Sequence, residues 1–404
     1  MRGQRQAAAV ALCLAAAPAV AAAQSFPPVT DRDFAIDLYQ GAVLGSTRII
    51  GMGGAQVAMA EGAAGMTANP ASPAVRPATS TDRWDWDVTI DWLNPELGDD
   101  FDNNGAETTA VDKTLILTLG AVVQYKKWGF GFNAGTQQFH VTGDDGALYR
   151  LDFNVAHVAL ARSFLDDTVT LGVGSRAGTF ALNQGAQGNT KLIELTGAGL
   201  EVGGTWSPKD RDIRLGAAGA VPVRTDKLLP GGCTDPEDCA GFILPREVIV
   251  PWQVSAGAAW RRAGTRWNRK VASRWRDERA LLVAVDVVVT GPVADGHGVE
   301  AYVNKQLQPS GNRAAVSVRA GADYEWKPGW FRVRGGSYYA SPILVGKHIY
   351  LCSRDGLTTI IEANPDGMIE VARNKLPGAI NASPVAVGGK LLIRTDTHLY
   401  CIGK

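Results

Sequence analysis

The chain has 404 residues, which is enough for two or three domains. Its 40 basic and 40 acidic residues cancel, so no overall charge draws it toward nucleic acid, and no nucleic-acid partner is predicted. The 47 glycines and the low charged fraction of 20% favour many strands and turns over long helices.

Residues 1–23 have the three parts of a secretory signal peptide. Arg2 and Arg5 form a positive start, residues 7–20 form an apolar stretch, and residues 21–23 form a small-residue cleavage site. A membrane-spanning helix, the alternative, would need about 20 residues more apolar than alanine. The sequence therefore predicts an exported protein.

Beyond Trp84 the apolar residues recur at every second position. The stretch VIVPWQVSAGAAWR, residues 248–261, puts mostly valine, tryptophan and alanine on one face and mostly polar or small residues on the other. Such alternation is typical of a strand with one apolar and one polar face. It predicts strands at 84–92, 112–125, 128–139, 149–163, 168–180, 191–206, 211–223, 248–262, 279–290, 313–326 and 330–339.

Two architectures use such strands: a soluble sandwich and an outer-membrane β-barrel. The predicted strands exceed the ~5–6 residues of an average soluble strand and reach the ~9–11 residues that cross a membrane. Their connections alternate between long loops and short turns, as the two ends of an outer-membrane barrel do. Bacterial barrels have an even number of strands, so a count of eleven means that a strand is missed or that the barrel is incomplete.

One connection, residues 261–278, is long where a short turn is expected. It carries several arginines with interleaved tryptophans, a combination that could bind anionic lipid headgroups. A solvated turn is the simpler interpretation and the one predicted here.

The segment before the first predicted strand contains several short motifs in order. A glycine run, GMGGA, is followed by AEG and by NPAS, and the residues that stand out are Gly51, Gly53, Gly54, Asn69 and Pro70. No GK[ST] follows the glycines and no strand precedes them, which argues against a phosphate-binding loop. These motifs resemble the N-terminal hatch of the FadL/OmpP1/TodX family of outer-membrane transport proteins.

The resemblance implies a β-barrel at residues 84–337, plugged by a hatch segment at residues 24–83. It implies transport or binding of a hydrophobic small molecule such as a long-chain fatty acid. It also implies contact with outer-membrane lipid and a location in the outer membrane of a Gram-negative bacterium. The chain departs from the family at its end, CIGK, because such barrels usually close with a strand that ends in an aromatic residue.

Four cysteines follow the predicted signal peptide. Cys233 and Cys239 stand six positions apart in a loop rich in Gly, Pro and Asp. In an exported protein this favours a small-loop disulfide, with two free thiols as the alternative. The spacing fits no zinc site, and the loop holds no histidine.

The motif ASPILVG near residue 340 is repeated once, as ASPVAVG. Ser341 and Pro342 correspond to Ser383 and Pro384, at a spacing of 42. A period of about 42 fits the four-stranded blade of a β-propeller. The sequence motifs of this tail resemble those of PQQ-like β-propeller repeat proteins.

Residues 338–404 hold about one and a half such blades, whereas a propeller needs at least four to close. No quinone site can be assembled from so little, so no cofactor is predicted. The implied role is contact with a protein partner through the repeat. Two incomplete domains that meet near residue 338 indicate a chimera of two otherwise unrelated coding segments. A weaker alternative lets the stretch HIYLCS pair with the barrel edge as a twelfth strand.

The five histidines form no recognisable catalytic arrangement, because none lies in an HExxH pattern or beside GxSxG. His157, inside a predicted strand, is interpreted as a lumen or core residue. The acidic stretch DDFDNNGAE resembles half of an EF-hand, but Val111 stands where a bidentate glutamate is required. The sequence therefore predicts no metal site and no enzymatic activity.

The predicted fold is all-β: an antiparallel outer-membrane β-barrel with an N-terminal hatch, followed by a partial β-propeller. The predicted function is transport or binding of a hydrophobic ligand. The alternatives are an exported PQQ-like propeller scaffold without catalysis and a secreted soluble all-β protein.

Overall fold

The computed structural model describes residues 26–38, 47–78, 80, 83–93, 110–185, 190–225, 227–228, 233, 235–271, 278–327, 331–336, 343–345, 348–352, 357–364, 367–377, 380, 385–387, 390–395 and 398–403. The predicted signal peptide, the acidic stretch at 99–107 and the repeat residues Ser341, Pro342, Ser383 and Pro384 lie outside the described residues. Within these ranges, no helix is long and apolar enough to cross a membrane.

Strands dominate the described chain, and the two α-helices are five residues long. The elements in chain order are β1 (Ala35–Asp37), α1 (Thr47–Gly51), a 3-10 turn (Ser72–Ala74), β2 (Trp84–Leu93), β3 (Ala110–Tyr125), β4 (Trp128–Thr142), β5 (Leu148–Phe164), β6 (Val169–Gln184), β7 (Thr190–Trp206), β8 (Ile213–Ala220), β9 (Val223–Thr225), β10 (Lys227–Leu228), β11 (Glu247–Val250), β12 (Gln253–Ala263), β13 (Ala280–Thr290), β14 (Gly296–Gly298), α2 (Val299–Val303), β15 (Ala315–Lys327), β16 (Phe331–Gly336), β17 (Ile343–Val345), β18 (His348–Cys352), β19 (Leu357–Asn364), β20 (Gly367–Lys375), β21 (Val385–Val387), β22 (Lys390–Arg394) and β23 (Leu399–Ile402). The all-β prediction is confirmed for these residues.

Eleven strands form one antiparallel sheet, here called the main sheet. Its order is β2–β3–β4–β5–β6–β7–β8–β12–β13–β15–β16, with β10 added beside β7. Most of the eleven strand predictions agree with these bounds to within a few residues. No pairing joins β2 to β16 among the described residues, so the sheet has two open edges there.

The connections of the main sheet differ at its two ends. Residues 126–127, 165–168 and 207–212 are short turns at one end, here called the turn end. The opposite end, the loop end, carries the connection from β8 to β12 and the connection from β13 to β15, both much longer. The predicted alternation is only partly present, because the loop-end connections at 143–147 and 185–189 are as short as the turns and the turn-end connection at 264–279 is long.

Two of the predicted strands are broken at a proline. The predicted strand 248–262 divides at Pro251 into β11 and β12, and the predicted strand 211–223 divides at Pro222 into β8 and β9. Proline has no N–H to donate to a ladder, so the chain leaves the main sheet at both points. The predicted continuous apolar face of 248–261 is wrong for the same reason: Val248 is fully buried, while Val254 is exposed.

A second sheet covers the loop end, with the order β14–β1–β11–β9. Strand β1 is parallel to both of its neighbours, unlike the strands of the main sheet, which pair antiparallel as predicted. This sheet and α2 pack with the loop ends of β4 to β7 around one apolar cluster, here called the cap. Its buried aromatic side chains are Phe34, Phe139, Tyr149, Phe153, Phe180, Phe242 and Tyr302.

The main sheet exposes apolar side chains on its outer face and buries polar side chains on its inner face, which is the reverse of a soluble protein. On β2 the outward residues are 56% to 73% exposed, and they are Trp84, Trp86, Val88, Ile90 and Trp92. The inner face instead carries buried polar side chains, among them Gln124, Asn133, His157, Arg176, Glu201, Arg214, Asp286 and Asp323. Soluble proteins rarely expose an apolar patch larger than ~300–600 Å². The apolar residues therefore point out and the polar residues point in.

The C-terminal strands repeat with the period seen in the sequence. Strands β17 to β20 form a four-stranded antiparallel sheet, and β21 to β23 form a three-stranded one. Strands β17, β18 and β19 begin at residues 343, 348 and 357, and β21, β22 and β23 begin at 385, 390 and 399, which is 42 later in each case. The alternative of a twelfth barrel strand at HIYLCS is wrong, because β18 pairs with β17 and β19.

Candidate functional site

Residues 47–78, here called the interior segment, lie against the inner face of the main sheet. The backbone N of Ala63 donates to Asp87 Oδ2 on β2 at 2.7 Å. Near the other edge, a Cβ added to Gly321 on β15 would lie 2.2 Å from the carbonyl oxygen of Met52. One short segment therefore touches strands near both edges of the sheet.

This double contact requires the main sheet to curve. Nine inter-strand steps separate β2 from β15, which is about 43 Å in a flat sheet at ~4.8 Å per step. Ala63 follows Met52 by only eleven positions, and most of these residues form turns. A chain in turns spans far less than an extended chain of the same length, so this stretch cannot bridge about 43 Å. The sheet therefore wraps around the interior segment, which fills part of its concave side.

A buried carboxylate fixes the first part of the interior segment. Asp286 on β13 is 1% exposed, and its Oδ2 accepts hydrogen bonds from the backbone N atoms of Gln56 and Val57 at 2.5 and 2.8 Å. Asn133 on β4 donates from Nδ2 to the carbonyl oxygen of Ala63 at 3.1 Å. Polar side chains of the sheet thus satisfy backbone groups that the interior segment would otherwise bury unpaired.

Asn69, one of the predicted hatch residues, links two parts of the interior segment to the sheet. Its Nδ2 donates to the carbonyl oxygens of Val57 and Gly204, both at 3.1 Å, and its Oδ1 accepts from Ala71 N at 3.0 Å. The side chain is fully buried. An amide can donate and accept at once, which explains why this residue type suits the position.

Pro70 shows how close the interior segment comes to the sheet. A Cβ at Gly172 on β6 would lie 2.1 Å from the Pro70 carbonyl oxygen, and one at Gly216 on β8 would lie 2.4 Å from that of Val57. Real Cβ atoms do not approach that closely, so the strands need glycine at both points. Part of the high glycine content of the chain is explained by this contact.

The predicted glycine run forms the turn after α1. Gly51 ends the helix, and Gly53 and Gly54 follow with φ of 60° and 77°. These values lie in the left-handed region that glycine adopts without a Cβ penalty. Gly54 then lines the cavity described next.

A cavity of about 230 Å³ lies between the interior segment and the main sheet. Much of its lining is polar, and the residues that matter most are Gln56, Thr118, Asn133, His157, Arg176 and Arg319. The lining includes two guanidinium groups and no carboxylate. Its chemistry suits water and hydrogen-bonding groups better than a purely apolar molecule.

Three of the inner-face residues sit side by side on neighbouring strands. His157 on β5 pairs across the ladder with Arg176 on β6, and its Nδ1 lies 3.0 Å from Glu201 Oε2 on β7. The Arg176 guanidinium also donates to the carbonyl oxygens of Val221 and Pro251, at 2.7 and 2.9 Å. These oxygens flank the two proline breaks, so Arg176 satisfies backbone groups where the chain leaves the sheet.

Cys233 and Cys239 form a disulfide, with their Cα atoms 5.4 Å apart. Cys239 is fully buried in the cap, and Cys233 packs against it. The two remaining described cysteines, Cys352 and Cys401, are free. The disulfide thus belongs to the cap at the loop end, far in sequence from the interior segment.

The described part of the connection at 261–278 is mostly exposed, as predicted for a solvated turn, but one of its tryptophans is buried. Trp267 is 7% exposed and packs in one cluster with Met52 and Met59 of the interior segment. Arg214 lies over the Trp267 ring at 4.3 Å, a cation–π contact. This long connection folds back across the turn end and covers the interior segment from that side.

Several inner-face residues were not singled out from the sequence. Asp286 had a signal, since it is a single charge within the apolar run LLVAVDVVVT, and such a charge needs a buried partner. Arg176 and Glu201 had weaker signals, because polar residues are expected on one face of every alternating strand. His157 was interpreted as a lumen or core residue, and it lines the cavity. Within the described residues, no three or more His, Cys, Asp or Glu side chains are grouped to hold a metal ion.

No protein-family model matches the sequence, and no curated protein matches it. Three solved structures show similarity: the Ralstonia pickettii toluene transporter TbuX (14% identity, 82% of this chain and 96% of that chain, TM-score 0.42), the P. putida toluene transporter TodX (13%, 79% and 91%, 0.39) and the CymD monoaromatic hydrocarbon channel (15%, 80% and 90%, 0.43).

Proposed function

We propose that the main sheet is the wall of an outer-membrane pore and that the interior segment is its plug. The observation that carries the proposal is the distribution of side chains on the main sheet: large apolar side chains are exposed on the outside, and polar side chains are buried on the inside. A membrane strand needs this arrangement, because lipid surrounds the wall and polar groups line the lumen. Residues 24–83 would then include the hatch, and residues 84–337 the barrel.

The height of the apolar band supports this proposal. From Trp84 to Trp92 on β2 the chain rises eight residues, about 26 Å at ~3.3 Å per residue. The apolar band of an outer-membrane barrel is ≈ 25 Å tall. Both residues are exposed tryptophans, so the band on this strand begins and ends with an aromatic side chain.

A belt of exposed aromatic residues runs along the turn end. Its members sit close to the ends of their strands, and they are Trp84, Tyr125, Trp128, Phe164, Trp206 and Trp260. Aromatic side chains favour the membrane–water interface, where the ring is apolar and its surroundings are partly wet. Short turns mark the periplasmic end of such barrels, so the cap and its disulfide would face the outside.

The proposed ligand is a hydrophobic small molecule such as a long-chain fatty acid. Its support is the resemblance of the glycine run and of Asn69–Pro70 to a hatch, together with the aromatic cluster of the cap. Because the interior segment fills part of the concave side of the sheet, the ligand would pass only after the plug has moved. Movement of a plug held by Asp286 and Asn69 is therefore the proposed control step.

The test is uptake by cells that do or do not produce the full chain. A fluorescent long-chain fatty acid is expected to enter several-fold faster with the protein, which should be in the outer membrane and migrate differently on gels before and after heating. A protein found only in the periplasm would contradict the pore. A protein in the outer membrane without faster uptake would contradict the ligand class alone.

A second candidate role concerns residues 338–404. The equal spacing of the hairpins favours a propeller-like repeat, and its proposed role is non-catalytic contact with a protein partner. A chain that ends at residue 337 separates the two roles. Unchanged uptake would assign transport to the barrel alone, and lost uptake would show that the tail is needed for the pore.

A further inference from the structure

A second cavity, of about 360 Å³, opens at the turn end of the main sheet. It is separate from the polar cavity beside Gln56 and is here called the turn-end pocket. Cationic side chains dominate its lining, and they are Arg76, Lys126, Lys127, Arg214 and Lys270. One carboxylate, that of Asp167, lines it as well. The ammonium group of Lys126 lies over the outward-facing Tyr125 ring, so the lining holds the other four cationic side chains together with one carboxylate. Like charges this close repel each other.

Two of these cations already have acidic partners. Lys127 Nζ lies 2.8 Å from Asp167 Oδ1, and Arg214 pairs with Glu61 of the interior segment. Arg214 is also held by Asn268 Oδ1 at 2.8 Å and by the Trp267 ring. These contacts fix the walls of the pocket, whereas Lys270 has no carboxylate partner among the described residues.

Lys270 is the cation best placed to bind an anion. Its Nζ donates one hydrogen bond, to the carbonyl oxygen of Ser80 at 2.9 Å, and an ammonium group has three N–H donors. Burial of the ammonium group lowers the pKa of Lys270. The nearby charges of Arg76 and Lys127 act in the same direction, while Asp167 and Glu61 oppose them. A bound anion would favour the charged form and relieve this cost.

A hydroxyl group in the same wall also lacks a partner. The Ser80 side chain is 7% exposed, and its Oγ has no hydrogen-bond partner among the described residues. Buried hydroxyls are nearly always hydrogen-bonded, and each exception needs an explanation. An oxygen of a bound anion would accept from both Ser80 Oγ and Lys270 Nζ.

From this we infer that the turn-end pocket binds a small oxyanion, a phosphate or a carboxylate group. The pocket is lined by Ala74 and Val75 of the interior segment and by Ser163 and Thr170 of the inner face. An oxyanion there would join Arg76 of the interior segment, and Ser80 just beyond it, to the turn at Lys127 and the connection at Lys270. It would therefore hold the proposed plug in place from the periplasmic side.

Inorganic phosphate is the probe for the first arm of the test. The full chain is purified in a zwitterionic detergent, and phosphate is titrated by isothermal calorimetry at low ionic strength, because exposed charges are screened by salt. Lys270→Met keeps the aliphatic stem and is expected to weaken binding by about tenfold, since charge-assisted hydrogen bonds are lost. Lys209→Gln is the matched control at the same end, because Lys209 pairs with Asp166 and does not line the pocket.

A second arm distinguishes a free oxyanion from a lipid headgroup. The protein is placed in nanodiscs with and without phosphatidylglycerol, and co-purifying lipid is measured for the parent chain and for Lys270→Met. Saturable phosphate binding that falls in Lys270→Met supports a free oxyanion. Phosphatidylglycerol retention that falls in the variant, without phosphate binding, supports a headgroup.

The inference is overturned if neither phosphate nor lipid binding responds to Lys270→Met. It is also overturned if Lys209→Gln has the same effect, because that would indicate only general charge attraction. Ser80→Ala provides a second variant in case Lys270→Met does not fold. It removes one hydroxyl donor, and a several-fold loss of phosphate affinity is expected.

Discussion

Deletion of residues 47–75 is expected to make vesicles that contain the protein leaky to small sugars, by about tenfold or more over the parent chain. The deletion removes the chain that fills the concave side of the main sheet and leaves polar side chains such as Asp286, Gln124 and Asn133 facing the lumen. Water can satisfy these groups, so the wall is expected to persist as a water-filled channel. Liposome swelling with sugars of increasing size measures the effect.

A single substitution tests the same point without shortening the chain, and a second substitution is its control. Gly172→Leu places a side chain where the Pro70 carbonyl oxygen lies, at 2.1 Å from the added Cβ, so it should displace the interior segment and increase leakage. Gly219→Leu is matched to it, since a Cβ there meets nothing closer than 3.9 Å. Equal leakage from both variants, or a tight deletion variant, would mean that residues 47–75 do not block the lumen.

Asp286→Ala is expected to destabilise the folded protein by about 2–5 kcal/mol. The substitution removes the carboxylate oxygen that accepts from Gln56 N and Val57 N and leaves two buried donors without a partner. Urea unfolding in detergent, followed by tryptophan fluorescence, measures the change in free energy of unfolding. Leakage should rise in the same variant, because the same two bonds hold the interior segment to β13.

Asp166→Asn is the matched control for charge removal. Asp166 is an exposed turn residue that pairs with Lys127 and Lys209 and contacts no part of the interior segment. Its loss should leave both stability and leakage unchanged. An Asp286→Ala variant as stable and as tight as Asp166→Asn would show that the buried carboxylate does not anchor the interior segment.

The strands of the main sheet were predictable because each one is long and alternates without interruption. On β2 the pattern WDWDVTIDW needs no knowledge of neighbouring strands to be recognised as one apolar and one polar face. Pro222 and Pro251 were visible as well, but period-two alternation continued across both of them. What decides the break is the second sheet, which pairs β9 with β11 only in three dimensions.

The interior contacts were less predictable, for a different physical reason. The glycine run and Asn69–Pro70 could be singled out as motifs, yet their partners on the sheet lie more than 100 positions away, on β6, β7, β8 and β15. In the sequence, nothing distinguishes Gly172 and Gly216 from the other glycines. Their importance is visible only in the structure, where Pro70 and Val57 lie against them. The connection at 261–278 is similar, since burial of Trp267 depends on Met52 and Met59.

The cap at the loop end was not predicted at all. Its cluster combines Phe34, before the first long strand, with Phe242 and Tyr302, from two long loops, and no local pattern joins these residues. Only Cys233 and Cys239 gave a signal in this region, through their spacing.

The proposed lipid-facing orientation of the main sheet is tested most directly on the two faces of one strand in a membrane. Single cysteines at positions 158 and 160, which point outward on β5, and at 155 and 157, which line the cavity, would be spin-labelled in a Cys352→Ser/Cys401→Ser background. Electron paramagnetic resonance in liposomes then compares collisions with oxygen, which concentrates in lipid, and with a water-soluble nickel chelate. The predicted result is high oxygen and low nickel accessibility at 158 and 160, and low accessibility to both reagents at 155 and 157, because the interior segment covers them. Nickel accessibility at 158 and 160 as high as in water would contradict a lipid-facing sheet.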